Sequence, residues 1–167
     1  MTAPAIDLHP ALPTLPGLVR PERDLWKPRE LRELTSTVAA DLATPLLGLL
    51  RFTEPKRWWT RLALTDGVEL WLLSWLPGQR TAPHDHGGAS GSFTVLLGEV
   101  AESYRYPAGP VREQRHVTGA SIGFGAGRAH QVRNESRERA ATVHAYSPPL
   151  VPTREYVSLS DIPAEIP

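Results

Sequence analysis

The chain has 167 residues, 41% of them hydrophobic, enough for a hydrophobic core and too many for wholesale disorder. Its 18 Lys and Arg are balanced by 18 Asp and Glu, which argues against a general binder of nucleic acid or of acidic membrane. There is no cysteine, so disulfides, thiolate metal sites, iron–sulfur clusters and thiol nucleophiles are excluded.

Residues 1–22 carry Pro4, Pro10, Pro13, Pro16 and Pro21 and read as an extended arm draped over the domain or mobile. Residues 23–167 read as one domain, with a helical cover over about 23–52 and a β-barrel over about 57–159. The opening residues have no basic start and no apolar core of a secretory signal. The apolar run around Leu70–Leu76 is far short of the roughly 20 residues that span a bilayer. The expectation is a cytoplasmic monomer with no membrane or nucleic-acid partner.

Pro28 suits a first helical turn, and Leu31, Leu34, Val38 and Leu42 recur at helical steps. Thr44-Pro45 should break this helix in two. From Trp58 the period changes to two, Asp66-Gly67 signals a hairpin, and Val68–Leu76 returns as a strand. Further strands are expected at Ser92–Leu97, Glu99–Tyr106, Val111–Val117, Ser121–Phe124, His130–Arg133 and Ala140–Tyr146, with Arg154–Leu159 as a last edge strand. Short strands separated by polar and Gly turns predict a mainly β antiparallel sandwich or barrel.

Five of the six histidines lie in this strand-rich part. His84 and His86, two apart, place their rings on one strand face while Asp85 points away, and His130 can supply a third imidazole from a later strand. Thr142, His144 and Tyr146 also alternate on one face, so a hydroxyl, an imidazole and a phenol can form a hydrogen-bonded row. His116 reads as a solvent-facing residue of a peripheral strand, Trp71 and Trp75 as core or barrel lining, and Asn134 as a turn support.

Glycines frame these histidines. Gly78, His84-Asp85-His86, Gly91 and Gly98 form one group, and Gly119, Gly125-Ala126-Gly127, His130 and Asn134 form another. Together they resemble the two motifs of the cupin superfamily, which implies a jelly-roll barrel with a metal inside. Gly91 stands where a Glu ligand is usual, and Gly125 replaces a Pro. The segment from Trp59 to Pro149, with Thr142-Val143-His144-Ala145-Tyr146-Ser147-Pro148-Pro149, resembles the cysteine dioxygenase family, the thiol dioxygenase branch of the cupins. Thr142 replaces a Ser of that family, and Gly91 resembles the bacterial type, without the Cys that is crosslinked to Tyr in animal relatives.

The resemblance implies one Fe(II) per chain on His84, His86 and His130. It implies that Tyr146, fixed by His144 and Thr142, stands over the iron as a free phenol, that Arg61 binds the substrate carboxylate, and that Ser147-Pro148 is cis. The implied reaction is oxidation of cysteine by O2 to cysteine sulfinate. The alternatives are 3-mercaptopropionate as substrate, a metal cupin of another reaction class, or a barrel that binds a small ligand without turnover.

Overall fold

The computed structural model describes residues 6–163; Pro4 of the expected arm and Pro167 of the tail lie outside the described residues. In chain order the elements are β1 (Asp7–Leu8), α1 (Leu15–Val19), α2 (Pro28–Asp41), α3 (Ala43–Leu49), β2 (Trp59–Leu64), β3 (Glu69–Trp75), β4 (His84–Asp85), β5 (Ser90–Leu97), β6 (Glu99–Arg105), β7 (Arg112–Val117), β8 (Ser121–Phe124), β9 (Ala129–Arg133), β10 (Ala140–Ser147) and β11 (Arg154–Glu155). They form two antiparallel sheets, ordered β1-β2-β3-β10-β5-β8 and β11-β4-β9-β6-β7. This is the jelly-roll cupin fold expected from the sequence.

The period-two alternation sorts side chains to the two faces of the larger sheet. Leu70 and Leu72 of β3 and Val143 and Ala145 of β10 join the core under the helices. Trp75 of β3 and Phe93 and Val95 of β5 point the other way and meet Val100, Phe124 and Val132 inside the barrel. On β10 the inward positions fall to Thr142, His144 and Tyr146, which is how a strand with a buried apolar face also carries a polar row.

Helix α2 packs Leu31, Leu34 and Val38 on this sheet, each buried side chain contributing roughly 1.5–3 kcal/mol. Its first turn is held by Glu30, whose carboxylate accepts the Lys27 backbone N–H at 2.8 Å. The break between α2 and α3 falls at Leu42, earlier than Thr44-Pro45. Pro45 sits in the first turn of α3, where a missing N–H costs no hydrogen bond.

The N-terminal segment is not extended throughout. Asp7 and Leu8 pair with β2, and Leu12, Leu15 and Val19 are fully buried around the short α1. The chain end differs too: the expected strand Arg154–Leu159 is cut to two residues and followed by a 3-10 turn at Leu159–Asp161. There Leu159 and Ile162 pack on Ala129 of β9, a burial that continued strand pairing would forfeit. Asn134 supports its turn as expected, donating to the carbonyls of Trp75 and Glu138. The Ser147-Pro148 bond is cis, as expected.

Helix α2 approaches the barrel closely at Gly123, where an added Cβ would lie 2.4 Å from the Pro28 carbonyl oxygen. Gly123→Ala should therefore lower stability by about 1–3 kcal/mol. Gly48→Ala, in α3 with open space around it, should be neutral or stabilising. Urea unfolding of both variants checks this, and equal midpoints would mean that the helix docking tolerates the extra atom.

Candidate metal centre

The rings of His84, His86 and His130 meet edge to face, with centroids 4.7–4.9 Å apart. One nitrogen from each lies within 4.8 Å of the others, so the three can hold one metal ion. Strand β4 places His84 directly opposite His130 of β9, and His86 follows just beyond the strand end. Asp85 points away, as the alternation requires, and accepts the Tyr156 hydroxyl at 2.6 Å.

The second nitrogen of each ring decides which atom faces the centre. Nδ1 of His84 lies 2.8 Å from the Ala82 carbonyl, Nδ1 of His86 lies 3.3 Å from the Arg128 carbonyl, and Nδ1 of His130 lies 2.7 Å from Glu102 Oε2. Carbonyl and carboxylate oxygens only accept, so each Nδ1 carries the proton and each Nε2 keeps its lone pair. Nε2 of His86 is buried with no hydrogen-bond partner. An orphaned buried acceptor converging with two others is what a divalent cation fits. Burial, and then the neighbouring His130, lower the pKa of His84 to about 3 and that of His86 well below the ordinary imidazole range, so both stay neutral.

Glu102, fully buried on β6, was not foreseen as a site residue. It accepts from His130, from His116 Nε2 at 3.4 Å and from the Arg128 guanidinium. Burial alone would raise its pKa, but hydrogen bonds from His116 and His130 hold it well below the carboxylate range. His116 is thus 3% exposed, not solvent-facing, because Glu102 recruits it into the barrel. A charged residue at an inward position of a strand, between Val100 and Tyr104, was the available signal.

The row on β10 is present. Trp75 Nε1 lies 2.9 Å from Thr142 Oγ1, which lies 2.8 Å from His144 Nε2, and His144 Nδ1 lies 3.1 Å from the Tyr146 hydroxyl. An indole N–H only donates. Thr142 therefore accepts from Trp75, and with the His144 proton on Nδ1 the Thr142 hydroxyl donates to His144 Nε2. His144 donates from Nδ1 to the Tyr146 oxygen, which leaves the phenolic proton free for the cavity. This ordering pairs every N–H and O–H of the row except the phenolic one. Tyr146 stacks on His86 at 5.2 Å and His144 on Phe93 at 5.2 Å.

Gly91 lies opposite both Tyr146 and Phe124, and a Cβ there would come within 2.5 Å of the Phe124 ring. The position that carries a Glu ligand in other cupins therefore has no room for a side chain unless Phe124 moves.

The structure does not bring Arg61 to these residues. Its guanidinium pairs with Asp7 Oδ2 at 2.8 Å, because pairing of β1 with β2 sets that carboxylate beside it. The arginines that line the cavity with His84, His130, His144 and Tyr146 are Arg57 and the exposed Arg80.

The buried histidines should make the metal-free protein acid-sensitive. In His84, His86 and His144 burial depresses the folded-state pKa below the unfolded value of about 6.5. Below pH ~6.5 the unfolded chain binds protons that the folded one refuses, so stability must fall with pH. Protonation of Glu102 adds to the loss at lower pH. The urea midpoint of metal-free protein should be lower at pH 5.0 than at pH 7.5; equal midpoints would contradict the buried neutral rings. Glu102→Gln should weaken metal affinity by about 10–100-fold, because His130 exchanges a charged carboxylate acceptor for a neutral amide. Chelator competition with Co(II) measures this, and unchanged affinity would leave Glu102 a purely structural residue.

Among solved structures, a protein of Thermus thermophilus is similar at 28% identity and TM-score 0.54, over 62% of this chain and 93% of that one. A Klebsiella pneumoniae protein with a double-stranded β-helix domain is similar at 20% identity and TM-score 0.55, over 66% and 92%. Oxalate oxidase is similar at 17% identity and TM-score 0.55, over 62% and 56%. The last two speak to the cupin fold alone. The sequence profile of cysteine dioxygenase type I matches residues 43–158, a span that begins at α3 and takes in all three histidines and the row on β10. On that match the chain belongs to the cysteine dioxygenase type I family.

Proposed function

We propose that the protein is an iron-dependent thiol dioxygenase that converts cysteine and O2 to cysteine sulfinate, with one Fe(II) held by His84, His86 and His130. The observation that carries this reading is an all-imidazole donor set beside a phenol: three neutral nitrogens converge, and Tyr146 stacks on His86. Neutral donors leave the double charge of a divalent cation uncompensated, which favours an anionic ligand such as a thiolate. Gly91 preserves that charge, since no protein carboxylate enters the donor set. Membership of the cysteine dioxygenase type I family supports the same reaction class.

Ferrous iron, when bound, supplies open positions where thiolate and O2 meet. The chain's own residues orient and donate. Trp75, Thr142 and His144 fix the Tyr146 oxygen, and its remaining proton is available to a substrate sulfur or oxygen atom. Burial pushes the Tyr146 pKa above its ordinary value, so the phenol remains a donor at neutral pH. His144 stays neutral for the same reason and serves to position rather than to transfer protons. Phe93 and Phe124 wall the histidines on the barrel side and exclude water from that flank. Both oxygen atoms end on sulfur, so the conversion of thiol to sulfinic acid balances without an external reductant.

Oxygen uptake and sulfinate formation by the Fe(II)-loaded protein test the proposal, with cysteine and 3-mercaptopropionate in parallel. One sulfinate per O2 is expected with cysteine. Tyr146→Phe should bind iron as the unaltered protein does and turn over about tenfold more slowly, the value of one hydrogen bond in the transition state. Iron-loaded protein without thiol-dependent uptake would sink the reading, and a higher kcat/KM for 3-mercaptopropionate would reassign the substrate.

A further inference from the structure

A second cavity, of about 220 Å³, adjoins the histidines and shares Tyr146 with the cavity that Arg57 lines. His86 reaches its wall, and Trp71, Ala89 and Val151 make most of the rest apolar. One carboxylate stands on that wall. Glu69 opens β3 directly opposite Tyr146 of β10, and residues opposed across an antiparallel pair leave the sheet on the same face. Its side chain therefore enters the barrel beside the phenol, and the residue is only 8% exposed. Oε1 accepts the Leu150 backbone N–H at 3.2 Å. Among the described residues that is its one hydrogen-bond donor, and no Arg or Lys pairs with it. Its charge is felt next door: burial and then Glu69 push the Tyr146 pKa up. A carboxylate withdrawn from water and left without a cation is stabilised by one that arrives, the more so between apolar walls.

We propose that Glu69 receives the amino group of the thiol substrate and thereby sets a preference for amino-bearing thiols. The inference rests on the thiol dioxygenase reading. An ammonium group suits this wall in charge and in donors, since it brings three N–H groups and no acceptor to a carboxylate with an unused oxygen. The Leu150 N–H fixes Oε1 and leaves Oε2 to the ligand. The ladder that sets Tyr146 beside His86 also sets Glu69, so the amine contact and the phenol are positioned by one strand pair. The two cavities differ in charge accordingly: Arg57 and Arg80 line the first, and Glu69 is the charged residue of the second. Glu155, on the wall of the first, is exposed, so its charge is spent on water.

The test is equilibrium binding, without turnover. Co(II)-loaded protein is titrated with two pairs of thiols that differ in the amino group alone, cysteine against 3-mercaptopropionate and cysteamine against ethanethiol. The thiolate-to-cobalt absorption gives each affinity. Glu69→Gln keeps the shape and an oxygen for the Leu150 N–H, and removes the charge. It should weaken cysteine and cysteamine about ten- to a hundredfold and leave 3-mercaptopropionate and ethanethiol unchanged. Glu69→Asp, with charge but a shorter reach, should fall between. Glu155→Gln should bind all four as the unaltered protein does. Unchanged affinity for the amino-bearing thiols in Glu69→Gln, as when the metal alone holds the amine, overturns the assignment. So does equal weakening of all four, or an amine-selective loss in Glu155→Gln instead; each leaves the thiol dioxygenase reading in place. Unaltered protein that binds none of the thiols overturns that reading, and the assignment with it.

Discussion

Three imidazole rings with centroids 4.7–4.9 Å apart can share one cation only as neutral ligands, since a ring nitrogen that carries a proton has no lone pair to offer. Neutrality alone is insufficient, because the remaining proton on each ring must point outward. The surrounding fold meets that demand at three separate places: the carbonyl of Ala82, the carbonyl of Arg128 and the carboxylate of Glu102. Arg128 acts twice. Its backbone oxygen orients His86, and its side chain balances Glu102, which orients His130. Two of the three rings are therefore aligned through one residue.

Trp75 plays the matching part on the opposite sheet. It lies on β3 against β10, its carbonyl accepts from Asn134, its N–H sets the direction of the hydrogen-bonded row, and its face carries Arg57. The polar row in turn orders only because Thr142 has a donor on one side and an imidazole on the other. Glycine at position 91 completes the enclosure, since Phe124 packs where a side chain would otherwise enter. Donor set and phenol are thus held by rigid strands rather than by loops, with the exception of His86 just beyond β4, while Arg57 lies just before β2.

Much of this was legible in the amino-acid string. The period-two alternation located the strands, and His84, His86 and His130 with the flanking glycines pointed to a metal inside a barrel. Thr142, His144 and Tyr146 could be placed on one face by counting. The strands and the shared faces are found as expected because they rest on short-range rules: which face a residue takes in a strand, and which turns need glycine. The partners that complete the site were less visible. Glu102 sits in an ordinary strand and gains meaning only when β6 pairs with β9 and brings His130 beside it. His116 looked exposed because β7 is an edge strand, with five of its six residues exposed.

Arg61 and Arg57 mark the limit most clearly. Both precede or lie within the same strand, four residues apart, and the motif favours Arg61. What separates them is the N-terminal segment, remote in the chain, which lays Asp7 against β2, and the Trp75 ring, which receives Arg57. The sequence by itself determined the barrel, the histidine set and the row on β10, because alternation and spacing are local properties of a chain. Only the tertiary structure decided which nitrogen of each histidine faces the centre of the cluster, which carboxylate is buried behind it, and which arginine is paired with Asp7. Those choices depend on electrostatic pairs between residues remote in sequence, and a charge is committed or free only after the chain has packed.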